Sequence, residues 1–88
     1  MSKADKILER LCRVPVPSDI RWSEIETLMH SFGYITQNGK GSKRKFINVD
    51  KKHIVDCHEP HPQPVCKQYL VEKIKAHLTT VGIIDADI

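Results

Sequence analysis

Residues 39–64 read GKGSKRKFINVDKKHIVDCHEPHPQP, and the rest of the 88-residue chain is organised around them. Lys43-Arg44-Lys45-Phe46-Ile47-Asn48-Val49 follows the two-residue period of a strand. Arg44, Phe46 and Asn48 share one face, and Lys43, Lys45, Ile47 and Val49 share the other. Asp50-Lys51-Lys52 reads as a turn, and residues 53–58 as the next strand. Upstream, Tyr34-Ile35-Thr36-Gln37 has strand-forming residues and runs into Asn38-Gly39, a turn signal. Three short strands joined by tight turns predict an antiparallel meander. The stretch ends in Glu59-Pro60-His61-Pro62-Gln63-Pro64, where three prolines within five residues remove three backbone donors and fix three φ angles. A stiff loop follows from that composition.

Helical patterns flank the strands. Residues 2–13 place Ile7, Leu8, Leu11 and Cys12 on one stripe, with Ser2 and Asp5 in a capping arrangement. Val14-Pro15-Val16-Pro17 ends that helix in a stiff, extended connector. Trp22, Ile25, Leu28, Met29 and Phe32 predict a second helix, with Ser23 and Glu26 matching a capping box, or a start a few residues earlier at Ser18 or Asp19, and Gly33 as its stop. A third helix is expected from near Pro64 to Val81, burying Leu70, Val71, Ile74, Leu78 and Val81 and stopping at Gly82. Residues 83–88 form an apolar-acidic tail. Helices set apart from an antiparallel sheet define the α+β class. The central order, α-β-β-β-α, is also that of double-stranded-RNA-binding domains, with an extra N-terminal helix. Residues 1–18 are read as that helix and its connector, and 19–88 as the functional domain.

Composition narrows the function. The formal net charge of +3 is unevenly spread. Residues 40–75 hold nine basic and four acidic side chains, a local +5, whereas the remainder sums to −2. Clustered positive charge suits a phosphate backbone, although a solvated lysine face has the same composition. No apolar run approaches the ~18 residues that span a bilayer. Asp5, Glu9 and Arg10 interrupt the apolar stretch that a secretory signal needs, so a cytoplasmic protein is expected. Cys12, Cys57 and Cys66 are too few and too scattered for a disulfide scaffold and read as small apolar side chains.

His58 and His61 bracket the start of the stiff loop, beside the basic strand 43–45. Imidazole can take and give a proton near neutral pH, and lysine or arginine can hold a phosphate and its developing charge. Those groups suit proton transfer and charge stabilisation at a phosphodiester. His58 and His61 are the candidate proton-transfer groups, and Lys40, Ser42, Lys43, Arg44, Lys45 and Lys67 the candidate phosphate ligands. The same residues also suit an RNA-binding module without catalysis. His53, Cys57, His58, His61 and Cys66 carry zinc-ligating atoms, but Cys57-x₃-His61 and Cys57-x₈-Cys66 lack the close pairing that zinc sites use, and no metal site is assigned.

From residue 20 to about 84 the chain resembles the HicA toxin family of bacterial toxin–antitoxin systems. WSEIETLMHSFGY (22–34) is similar to that family's amphipathic helix ending in Gly-aromatic. GKGSKRKF (39–46) is similar to its Gly-Ser-x-x-x-Phe segment, and HEPHP (58–62) to its His-x-Pro-His-Pro sheet-to-helix loop. The resemblance implies a small endoribonuclease with a double-stranded-RNA-binding-like fold. It would cleave mRNA without a dedicated metal and be neutralised by a HicB-type antitoxin protein. The chain departs from the pattern at one position: Lys43 follows Gly41-Ser42 where the resemblance leads one to expect a catalytic histidine.

Overall fold

Alternation decides which face of each strand is buried. In the computed structural model, which describes residues 2–61 and 63–84, β1 (Ile35–Asn38), β2 (Lys43–Asn48) and β3 (His53–His58) form an antiparallel sheet in the order β1-β2-β3. Phe46 pairs with Val55 and both are buried, whereas Lys45 opposite Asp56 and Lys43 opposite His58 are exposed. One face of the sheet therefore meets the core, and the other carries Ile35, Lys43, Lys45, Ile54, Asp56 and His58 into solvent. Two strand ends differ from the sequence pattern. Tyr34 precedes β1, because its N–H donates to Met29 O in a helix cap and its side chain turns inward. Val49, 74% exposed, belongs to the β2–β3 turn.

Three helices complete an α-α-β-β-β-α order: α1 (Lys3–Leu11), α2 (Trp22–Ser31) and α3 (Gln68–Thr80). The expected cap of α1 forms in both directions, with Asp5 N–H donating to Ser2 Oγ at 3.1 Å and Ser2 N–H to Asp5 Oδ2 at 3.3 Å. Ile7 and Leu11 are buried, and Arg10 bonds Asp19 and Glu24, fastening α1 to α2. Cys12 is exposed and off the stripe, because the helix ends one residue before it. Gly33 and Gly82 end α2 and α3 as anticipated. Each has positive φ, and the N–H that follows donates back across the last turn, Tyr34 to Met29 O and Ile83 to Leu78 O.

Long-range bonds move the other helix boundaries. Cys66 N–H donates to Ile20 O at 2.7 Å and Trp22 N–H to Pro64 O at 2.9 Å, around an Arg21–Val65 bridge. Residues 64–66 are thereby extended, so α3 starts at Gln68 rather than near Pro64. The same bridge holds Arg21 extended as the N-cap of α2, and Arg21 N–H donates to Glu24 Oε1 at 3.0 Å. Ser23 and Glu26, the pair expected to cap α2, lie within it instead. Leu70, Val71, Ile74 and Leu78 form the buried stripe of α3, and Val81 is half-buried. Ile83 and Ile84 pack on the core, and the rest of the tail lies outside the described residues. Asn48 is the buried polar residue of the described core. It donates to Phe32 O and accepts from Lys51 N–H, tying the end of α2 to the β2–β3 turn.

At the far end of the sheet from His58, Tyr34 Oη lies 2.7 Å from His53 Nδ1, and His53 Nε2 lies 3.1 Å from His77 Nδ1 on α3. Both histidines are half-buried. Burial holds the His77 pKa below its ordinary value, reinforced by His53 and Lys73 and opposed by Asp56. The unfolded chain then takes up a proton at His77 before the folded protein does. The stability that His77 contributes is complete above its ordinary value of 6.5 and is lost as pH falls through the lowered one. Thermal unfolding followed between pH 7.5 and 5 is expected to show a falling Tm below pH ~6.5. A flatter profile in His77→Gln is the expected signature.

Candidate functional site

The proline loop between β3 and α3 is held at both ends. At its start, Glu59 N–H donates to Ser42 O at 2.8 Å, and Arg44 Nε donates to Glu59 Oε1 at 3.0 Å. At its end, the Ile20–Trp22 bridge grips Pro64 and Cys66. Gln68 Nε2 adds a bond to Val16 O, so the N-terminal connector also braces the start of α3. His61 is exposed near the middle of this clamped segment. Its neighbour Pro62, part of the HEPHP motif, lies outside the described residues.

His58, the last residue of β3, is exposed on the open face of the sheet directly opposite Lys43. Its Nδ1 lies 3.1 Å from Ser42 Oγ, which orients the ring and leaves Nε2 without a hydrogen bond among the described residues. Turns close the 39–43 loop beside it, with Gly39 N–H donating to Lys43 O at 2.8 Å and Lys43 N–H to Lys40 O at 3.1 Å. One groove is lined by Ser42, His58, His61 and Lys67 together with Tyr69. A second depression is lined by Lys43, Lys45, Lys73, Asp56 and His58. The two share His58.

Of the eight sequence-predicted residues, Ser42, His58, His61 and Lys67 come together in one groove. Lys43 and Lys45 stand beside His58 on the open face, and Lys40 is exposed at the loop that precedes β2. Lys45 has one distant ionic neighbour, Asp56 at 4.0 Å, and both side chains are largely in solvent, so it stays available. Arg44 borders the depression of Lys43, Lys45 and His58, and also the surface beside Ser42 and His61. It points to the covered face, and its guanidinium bonds Glu59 and donates to Gly41 O at 2.9 Å. Its observed work is to fasten the Gly-Ser loop to the proline loop. Tyr69 and Glu59 were absent from the predicted set. A sequence signal for Tyr69 exists: it is an aromatic residue lying off the buried stripe of its helix.

Cys57 and Cys66 point into the core, Cys57 on the face of β3 opposite to His58. Burial pushes the Cys57 thiol up to about 11 and the Cys66 thiol up to about 12, so both remain protonated and unreactive at neutral pH. The zinc-ligating atoms of this stretch diverge, and no cluster of three or more His, Cys, Asp or Glu forms among the described residues. No helix of the described residues is long and apolar enough to cross a membrane.

No curated protein and no solved structure matches the chain. The model of the HicA toxin family of bacterial toxin–antitoxin systems matches residues 22–83. That span runs from the first residue of α2 past the end of α3 and contains the whole groove, leaving α1 outside it. The chain belongs to the HicA family and is the toxin of a toxin–antitoxin pair.

Proposed function

We propose that the protein is a metal-independent endoribonuclease that cleaves mRNA and is neutralised by a HicB-type antitoxin. The observation that carries this reading is His58 opposite Lys43, with Ser42 against its ring. The family resemblance leads one to expect a histidine after Gly-Ser on β2. In this chain the neighbouring strand supplies an imidazole across from that position. His58 and His61 perform the two proton transfers. One takes the proton of the 2′-hydroxyl as its oxygen attacks the adjacent phosphorus. The other gives a proton to the departing 5′-oxygen, leaving a 2′,3′-cyclic phosphate and a 5′-hydroxyl end. Lys40, Lys43, Lys45 and Lys67 supply positive charge to the phosphate and to the phosphorane that forms from it. The first turn of α3 borders the groove, has no side-chain cap and contains no acidic residue, which favours an anion there.

The antitoxin fits the same electrostatics: acidic groups laid over Lys43 and Lys45 would close access to phosphate. A second reading, a non-catalytic RNA-binding module, is favoured by Lys43 standing where the family histidine is expected. One assay separates the two. Purified protein incubated with single-stranded RNA in excess chelator is expected to yield fragments with 2′,3′-cyclic phosphate ends. Binding that weakens steeply with salt, without any fragments, would establish the second reading in its place.

A further inference from the structure

We propose that Tyr69 is a stacking platform for an unpaired base of a single-stranded RNA, seated beside the phosphate held in the His58–His61 groove. This rests on the RNA-cleaving reading and adds to it the residue that holds the base. The chain has five Phe, Tyr and Trp residues. Trp22, Tyr34 and Phe46 are buried, and Phe32 is half-buried against the core. Tyr69 alone is left in solvent, 64% exposed. It forms no side-chain hydrogen bond among the described residues, so its ring face and its hydroxyl are both uncommitted. It lies on the second residue of α3, next to buried Leu70, which seats that turn of the helix on the core. Its exposed ring borders the same groove as Ser42, His58, His61 and Lys67.

An aromatic ring in water beside cationic and imidazole groups is the arrangement by which proteins hold unstacked bases. A base paired within an A-form duplex has both faces covered by its neighbours and offers nothing to such a ring. The α-β-β-β-α order by itself points to duplex RNA, recognised through phosphates and 2′-hydroxyls. Tyr69 points instead to an unpaired nucleotide.

The experiment uses the full chain with Tyr69→Trp and a 2′-O-methyl single-stranded oligonucleotide, which cannot be cleaved by 2′-hydroxyl attack. Trp22 is buried and gives a constant background. Quenching of the new indole by the single strand, and not by a duplex of equal length, is the expected result. Tyr69→Ala is expected to weaken binding of the single strand about 10-fold, while Tyr69→Phe retains it. Tyr69→Leu, apolar but without a π face, behaves like Tyr69→Ala. Equal affinity of Tyr69→Ala and the unaltered protein, with cleavage intact, would overturn the stacking role and leave the ribonuclease reading standing. So would unchanged RNA affinity together with lost antitoxin binding, which would assign Tyr69 to the antitoxin interface. Failure of the unaltered protein to bind or cleave any RNA would overturn both.

Discussion

Replacing His58 by alanine lowers the rate of RNA cleavage by roughly 10²–10⁴-fold, the range that one positioned proton-transfer group contributes. The loss is expected to fall mainly on kcat with little change in KM, because the lysines proposed to hold the phosphate are untouched. His58→Gln, which can hydrogen-bond but cannot shuttle a proton, fails to restore the rate. Ser42→Ala frees the ring to rotate and produces a smaller loss in kcat. His58 is exposed, so the variant folds with an unchanged Tm, and expression of His58→Ala no longer arrests growth. His61→Ala behaves similarly if the two histidines divide the proton transfers. Undiminished cleavage by both variants would remove them from the chemistry and return attention to Lys43.

Leu11→Ala lowers the stability of the whole protein by about 2–5 kcal/mol, as expected for a fully buried leucine whose cavity cannot collapse. Leu11 is 0% exposed and belongs to the same core cluster as Ile25, Phe46 and Leu78. In a domain of this size each kcal/mol shifts Tm by about 4–8 °C, so thermal unfolding reads the effect directly. The prediction is sharp because α1 lies outside the matched span 22–83. A helix merely appended to the family domain would unfold by itself, and Leu11→Ala would leave the main transition in place. One cooperative transition, shifted down as a unit, marks α1 as part of the fold. The Arg10 contacts to Asp19 and Glu24 add less, since partly exposed ion pairs contribute little. With a total stability of about 5–15 kcal/mol typical of such domains, this one substitution can decide whether the toxin survives in the cell.

The strands show what local pattern can reveal. The alternation of Arg44, Phe46 and Asn48 against Lys43, Lys45 and Ile47 fixes which side of β2 is buried, because a strand repeats every two residues whatever its neighbours do. Gly33 and Gly82 stop their helices where the chain says they must, because positive φ is cheap for glycine alone. Cys57 and His58, adjacent on β3, fall on opposite faces by the same rule, Cys57 buried and His58 exposed. The start of α3 was misplaced because Pro64 and Cys66 make their backbone bonds with Ile20 and Trp22, more than forty positions away in the chain. Ser23 and Glu26 failed as a cap for the same reason: the bridge sets where α2 begins.

At the candidate site the division is similar. Clustering of basic residues and histidines within 39–64 made the region recognisable from sequence alone. Composition says which groups are near one another along the chain and nothing about which are spent on internal bonds. Arg44 shares the depression of Lys43, Lys45 and His58, and its guanidinium also bonds Glu59 and the carbonyl oxygens of Gly41 and Lys43. The sequence by itself determined the α+β class, the faces of the strands, the helix stops and the family. Tertiary structure alone decided that His58 stands across from Lys43 with Ser42 at its ring, and that Tyr69 joins the histidines in one groove. The physical reason is that periodicity and turn chemistry are local, whereas strand register and loop closure depend on hydrogen bonds between residues distant in the chain.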